Sequence, residues 1–272
     1  MLKKLFLYPL ALLALAVVGF NLWGLATQGK LEPAADAAID RTANRVVVVL
    51  GATGSVGDGL LKAATLDPDV SEIHVITRRS SPRIDAGVAS GRVTSHLHRD
   101  FTDYSAFGEL LARTNTVLWG LGTTSIGMDD ATYTRIHVDF PMAFINAWLS
   151  ARQDAPMAFH FVTGMGTDPE GGQHWAREKG RTEREMAAAA EGTGLRTFSY
   201  RSGFIRPAAE SAGAGDYIGQ WLFRPGSLAI TGLELGQSML EISARVGELP
   251  NGTLVDNADT IAYARAYVAR TP

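Results

Sequence analysis

One stretch limits what this chain can become more than any other. Arg45 to Leu50 is a short β-branched run that leads straight into Gly51-Ala52-Thr53-Gly54-Ser55-Val56-Gly57. A run apolar at nearly every position predicts a strand covered on both faces, as in a parallel sheet. The spacing then predicts a helix from Ser55 to Leu66, with apolar residues at Val56, Leu60, Leu61 and Ala64. In a strand–turn–helix setting the three glycines have separate uses. Gly51 allows a tight turn, Gly54 lets backbone N–H groups approach a pyrophosphate, and Gly57 lets the helix close on the sheet. The helix amino end adds partial positive charge where phosphates would lie. A purely structural turn is the alternative, but the place of the triplet in the first β-α unit favours a nucleotide site.

The rest of the chain repeats the pattern. Strands are expected over Glu72–Thr77, Val93–Arg99, Thr116–Leu121, Ala158–Thr163, Thr197–Ser202 and Thr253–Asp256. Helices are expected over Ala131–Leu149, Gln173–Ala190 and Asp259–Ala269. Repeated β-α units argue for an α/β fold, a doubly wound and mostly parallel sheet of Rossmann type with a small carboxy-terminal portion over the substrate. Gly213 to Phe223 falls in that portion, and its Trp221 and Phe223 are read as cleft wall or core.

The second strand bears on the cofactor. NAD-specific folds place an acid about 20 residues beyond the glycine loop, on the ribose hydroxyls. Here that count reaches Thr77, followed by Arg78 and Arg79. A guanidinium pairs bidentately with phosphate, so the reading is NADP, with NAD less favoured.

Leu5 to Ala26 is almost continuously apolar and follows Lys3 and Lys4. Its length is roughly 33 Å as a helix, enough for a hydrocarbon layer of ~30 Å. An uncleaved membrane anchor is the leading reading. A cleaved signal, whose apolar part is normally shorter, an interfacial helix and a mistaken start are the alternatives. The amino-terminal lysines would hold that end in the cytosol and the body outside, whereas a nucleotide cofactor is plentiful in the cytosol; the side is left open. Gln28 to Asn44 reads as a linker. The organisation is therefore 1–27 anchor or signal, 28–44 linker, and 45–272 dinucleotide-binding domain.

From Val46 onward the chain resembles the short-chain dehydrogenase/reductase superfamily, specifically its atypical branch of NmrA-like proteins and oxidoreductases related to the Tat-interacting protein. The resemblance rests on the loop 51–57, Thr77-Arg78-Arg79, Asp100-Phe101, Leu121-Gly122-Thr123-Thr124 and the region from Phe161 through Pro207. It implies that Asp100 lies beside the adenine, that Phe101 binds the cofactor, that Leu121, Gly122 and Thr123 line it, and that Ser202, Gly203 and Phe204 lie near the nicotinamide. It also implies a hydroxyl residue after the fifth strand, Thr163 here, and a Tyr-x-x-x-Lys on the next helix. Lys179 keeps the lysine place, where the family's lysine holds the ribose, but Trp175 stands where the tyrosine would be. An indole N–H accepts no proton and has no comparable acidity, so ordinary carbonyl reduction loses its proton donor. His174, Tyr133, Tyr200 and Tyr217 are conceivable substitutes. The expectation is an oxidoreductase- or epimerase-like protein; the alternative is a catalytically silent NADP(H)-sensing protein. Superfamily members often pair through helices, so a homodimer is a further expectation.

Composition removes other classes. With no cysteine there is no disulfide, thiolate metal site or cysteine nucleophile. A net charge of -3 gives no electrostatic case for nucleic acid. His96, His98 and Asp100 alternate as strand neighbours do, but no metal is expected from them. No G-x-S-x-G, H-E-x-x-H or Walker motif is present.

Overall fold

The computed structural model describes the backbone of residues 2–29 and 31–271 and the side chains from residue 8 onward. The side chains of Lys3 and Lys4, and Lys30, on which the charge bias rests, lie outside the described residues. A helix α1 (Leu2–Thr27) precedes the body and includes a stretch, Tyr8–Thr27, long and apolar enough to cross a membrane. The body then alternates: β1 (Val46–Leu50), α2 (Ser55–Leu66), β2 (Glu72–Thr77), α3 (Pro82–Ala89), β3 (Val93–Leu97), α4 (Gly108–Arg113), β4 (Thr116–Trp119), α5 (Asp130–Thr134), α6 (Phe140–Ala151), β5 (Met157–Val162). It continues through α7 (His174–Ala190), β6 (Leu195–Tyr200), β7 (Phe204–Arg206), α8 (Ala214–Phe223), β8 (Ala229–Thr231), α9 (Gly232–Ala244), β9 (Thr253–Val255) and α10 (Asn257–Arg270).

Seven strands form one sheet in the order β3-β2-β1-β4-β5-β6-β9, and β7 pairs with β8 apart from it. All pairings are parallel. Strand β1 shows why both faces must be covered. Val47 and Val49 join one core with Leu60, Leu61, Met239 and Leu240 of α2 and α9. Val46, Val48 and Leu50 join the other with Phe144, Trp148 and Met186 of α6 and α7. The alternation of side chains along a strand thus feeds two cores from one continuous apolar run.

Several expectations change, among them the fourth strand, which ends at Trp119 rather than Leu121, and the sixth, which runs Leu195–Tyr200 rather than 197–202. The third strand ends at Leu97 rather than Arg99, because the chain turns where the Asp100 carboxylate accepts from the Thr102 N–H at 3.0 Å. The helix expected over 131–149 is present without a gap but carries a π-type turn at Arg135–Asp139, where α5 passes into α6. Pro141 is the cause, since proline has no N–H to give to the carbonyl four residues back. That carbonyl belongs to His137, and it accepts instead from the Thr182 hydroxyl of α7 at 2.8 Å. The expected linker 28–44 lies against the body: Leu31 N–H donates to Asp259 at 2.8 Å, Asp40 N–H to the Ala244 carbonyl at 2.8 Å, and Asn44 to the Leu240 carbonyl at 2.7 Å.

Candidate active site

Between β1 and β4 the strand order reverses direction, and in an open parallel sheet the crevice at that switch is where ligands bind. Two adjoining cavities open there. One, of about 520 Å³, is lined by Gly51, Thr53, Gly54, Thr77, Arg78, Arg79 and Phe101, among others. The second, of about 350 Å³, is lined by Gly54, Ser55, Val56, Thr123, His137, Thr163, Lys179, Ser202, Gly203 and Ile205, among others. Gly54, Gly120, Leu121 and Gly122 line both, so the two form one crevice across the strand ends.

The glycine loop has the shape a diphosphate requires. Gly51 sits at φ +77°, and a methyl group there would lie 2.4 Å from the Gly120 backbone. A methyl on Gly57 would meet the Gly51 carbonyl oxygen at 2.1 Å, so the first turn of α2 rests directly on the loop. Gly54 differs: the nearest atom to such a methyl is 3.4 Å away, and the space beyond is the crevice. Among the described residues, no side chain caps the amino end of α2. Its first N–H groups therefore face the crevice with the helix dipole behind them. Buried polar atoms without partners among the described residues, Ser202 Oγ and His137 Nδ1, belong to residues lining the second cavity. A cradle of backbone donors, a clear floor at Gly54 and two polar atoms awaiting partners fit a dinucleotide.

At the far end of the first cavity Arg78 and Arg79 are exposed. The Thr77 hydroxyl donates to the Arg79 carbonyl at 2.7 Å, fixing the turn that presents them. Neither makes an ion pair among the described residues. Asp100 is exposed and absent from the lining of both cavities, while Phe101 takes part. The Asp100 carboxyl is held below its usual range by the Thr102 hydroxyl and N–H.

In the second cavity Lys179, from α7, donates to the main-chain carbonyl of Thr163 at the end of β5. Burial lowers its pKa to about 8, with Glu183 opposing. The Thr163 hydroxyl is itself engaged, donating to the Tyr200 carbonyl at 3.2 Å. Trp175 lies over Gly166, 3.4 Å from where a Cβ would sit, and is not in the lining of either cavity. Phe204 packs its ring against Gly219 of α8 rather than facing the crevice.

None of the substitute proton donors stands in the crevice. The Tyr200 hydroxyl is buried at 2.9 Å from His160 Nδ1, Tyr217 lies under the Arg206 guanidinium, and His174 contacts Thr134 at 3.3 Å. Trp221 is neither wall nor core, being 76% exposed. His96 meets His74 at 3.0 Å while Asp100 is exposed beyond the strand.

His137 is the residue that sequence reasoning passed over. Its Nε2 sits 3.1 Å from the Thr123 carbonyl oxygen, and its ring meets that of Tyr133 at a tilt, with centroids 4.2 Å apart. Burial, followed by the nearby Lys179 charge, lowers its pKa to about 3, so it stays a neutral imidazole. Nothing in the flanking Ile136 and Val138 marks it; the π-type turn that aims it came from a proline four residues on.

No family model and no curated protein matches the chain. Solved structures do. A short-chain dehydrogenase/reductase from Saccharomyces cerevisiae superposes with a TM-score of 0.61 at 12% identity, covering 84% of this chain and all (100%) of that one. The chain has the fold of the short-chain dehydrogenases/reductases. The enzyme KRED1-Pglu gives a TM-score of 0.59 at 15% identity over 78% of this chain and 100% of its own. Enoyl-[acyl-carrier-protein] reductase (NADH) from Aquifex aeolicus gives 0.57 at 12% identity, over 80% and 96%. At such identities the likeness is one of fold.

Proposed function

We propose that the chain is a membrane-anchored, NADP(H)-binding oxidoreductase of the atypical short-chain dehydrogenase type. The observation that carries this is the uncapped, glycine-floored amino end of α2 opening into the crevice at the strand switch. Backbone N–H groups of Ser55 and Val56 hold the diphosphate, with Thr53 and Gly54 alongside. Arg78 and Arg79 pair with a ribose 2′-phosphate, which selects NADP over NAD. Phe101 borders the adenine end, Leu121, Gly122 and Thr123 the middle, and Gly203 the nicotinamide end. Lys179 serves the neighbouring ribose. When bound, the cofactor supplies or accepts a hydride. Residues 5–26 tether the body to a membrane.

A second reading has support of its own. Trp175 replaces the expected phenol and the Thr163 hydroxyl is spent on the Tyr200 carbonyl, so a proton donor is lacking where a reductase needs one. That combination favours a silent protein that senses NADP(H) through the same crevice. Titration of the full-length protein in detergent with NADPH and NADH, followed by protein fluorescence, tests the shared part. Tighter binding of NADPH is expected; no binding of either defeats both readings. Steady NADPH oxidation with any member of an aldehyde and ketone panel then decides for the enzyme, and Trp175→Tyr tests whether only the donor is missing.

A further inference from the structure

Helix α1 does not hang free of the body. Asn21, toward the carboxy-terminal end of its apolar stretch, donates through Nδ2 to the Leu222 carbonyl at 2.9 Å, and its Oδ1 accepts from the Gly226 N–H at 2.5 Å. Backbones meet closely here: a methyl on Gly24 would lie 2.3 Å from the Gly226 carbonyl oxygen, and one on Gly226 would lie 2.5 Å from Asn21 Cα. Phe20 adds an edge-on contact to Phe223 at 6.4 Å. A satisfied amide and small residues at the crossing are how helices associate in lipid, where an unpaired amide is costly.

This docking conflicts with a simple span that leaves the body in water. The part of α1 that is exposed at every residue, Tyr8–Ala16, is nine residues, about 14 Å at 1.5 Å per residue. Counting from Leu5 gives about 18 Å, still well short of a ~30 Å hydrocarbon layer. The remaining apolar length, Val17 to Leu25, is the part that borders α8 and the turn after it. If α1 is immersed over its apolar length, what it docks against is immersed too.

Helix α8 is built for that. From Tyr217 to Phe223 it has no charged residue. Ile218 is 59% exposed and Trp221 76%, on a helix with no fully buried residue. Gln220 hides its carbonyl oxygen by accepting from Arg206 at 2.5 Å. Between the two helices an apolar groove of about 430 Å³ is lined by Val17, Val18, Leu22, Leu25, Trp221 and Pro225 together with Asn21 and Leu222.

We infer that α8 is a second membrane-contacting element: its Ile218–Trp221 face lies in the same lipid leaflet as the α1 segment docked to it. The occupant is the bilayer, on the continuity of this face with α1 and the lack of charge on both. The inference rests on the anchor reading of α1 given above.

The chain has no cysteine, so single introduced cysteines can each carry a nitroxide label. Full-length Ile218→Cys, Trp221→Cys, Leu13→Cys and Ile126→Cys are placed in phosphatidylcholine vesicles, and label collisions with oxygen and with a water-soluble nickel chelate are compared. Ile126, 86% exposed, is the reference for water. Labels at 13, 218 and 221 are expected to lose nickel-chelate accessibility relative to 126 while keeping that to oxygen. Lipid signatures at 13 with water signatures at 218 and 221 overturn the inference and leave the anchor standing; water at 13 overturns both. Labels at 218 and 221 shielded from both reagents would place a protein copy on the face and overturn it as well. All four sites are exposed, and unchanged melting temperatures of the labelled variants confirm the fold.

Discussion

Lys179, on α7, donates to the main-chain carbonyl of Thr163 at the end of β5, tying the helix to the strand at the floor of the crevice. Burial lowers the lysine pKa from 10.5 to about 8. Between those values the unfolded chain binds a proton that the folded chain does not, so stability from this group rises with pH across the window. In ligand-free protein, Lys179→Met should remove that rise. Urea midpoints measured on either side of the window check it, and an unchanged pH dependence would show an ordinary, solvated lysine.

Gly54 and Gly57 should separate binding from folding. Gly54 has φ -92° and ψ 164°, which alanine adopts freely, and its nearest obstacle is 3.4 Å away. Gly54→Ala should keep the melting temperature while weakening NADPH binding by roughly tenfold or more, a loss of about 1.4 kcal/mol. Gly57→Ala drives a methyl to 2.1 Å from the Gly51 carbonyl oxygen and should cost about 1–3 kcal/mol of stability. Thermal denaturation alongside cofactor titration distinguishes them; equal effects on both would mean that Gly54 does not floor a phosphate site.

The elements that sequence displayed best were those with a local cause. Helix α2 begins at Ser55 and ends at Leu66 as its spacing and the following Asp67-Pro68 require. Helix α9 was missed although Thr231 and Glu234 form a capping box, the hydroxyl accepting from the Glu234 N–H at 3.1 Å. Its buried residues include Ser238, Glu241 and Ser243 beside Met239 and Leu240, so no polar face sets a period. In the sequence Asn21 is a lone amide toward the end of an apolar run; only the chain 205 residues on shows its partner. The glycine crevice was legible because its constraints are backbone constraints. His137 was not, because its aim depends on Pro141 and on a Thr182 hydroxyl from another helix.

Glu241 of α9 is fully buried and accepts from Arg245 at 2.8 Å and from Arg270 at 2.9 Å. Both guanidiniums are themselves only 10% and 13% exposed. Arg245 keeps Glu248 at 2.9 Å and Arg270 keeps Asp69 at 3.0 Å, so Glu241→Gln weakens two charge-assisted hydrogen bonds without stranding either cation and should cost about 1–3 kcal/mol. Because α9 lies under α2, the loss should appear in global unfolding by denaturant with cofactor affinity unchanged in the protein that remains folded. A variant within about 0.5 kcal/mol of the parent, the range of ordinary surface changes, would show that water reaches the cluster.

His137 gives the acid limb of the stability profile a site-specific signature. Its pKa falls from 6.5 to about 3 through burial and the Lys179 charge, so the folded chain refuses a proton that the unfolded chain takes up. Stability from this group is therefore present above 6.5 and is lost as pH falls toward 3. His160, enclosed between the Tyr200 and Ser243 hydroxyls and pushed well below its ordinary value by burial, acts in the same direction. Each such imidazole adds up to about 1.4 kcal/mol per pH unit to the slope. His137→Asn should remove one share of that slope whatever it does to stability at neutral pH, because asparagine does not titrate. Unfolding free energies at two acidic pH values read the slope directly, and the ring's nitrogen chemical shifts should stay those of a neutral imidazole throughout. A ring that protonates near 6.5 in the folded protein would place it in water and remove it from the crevice wall.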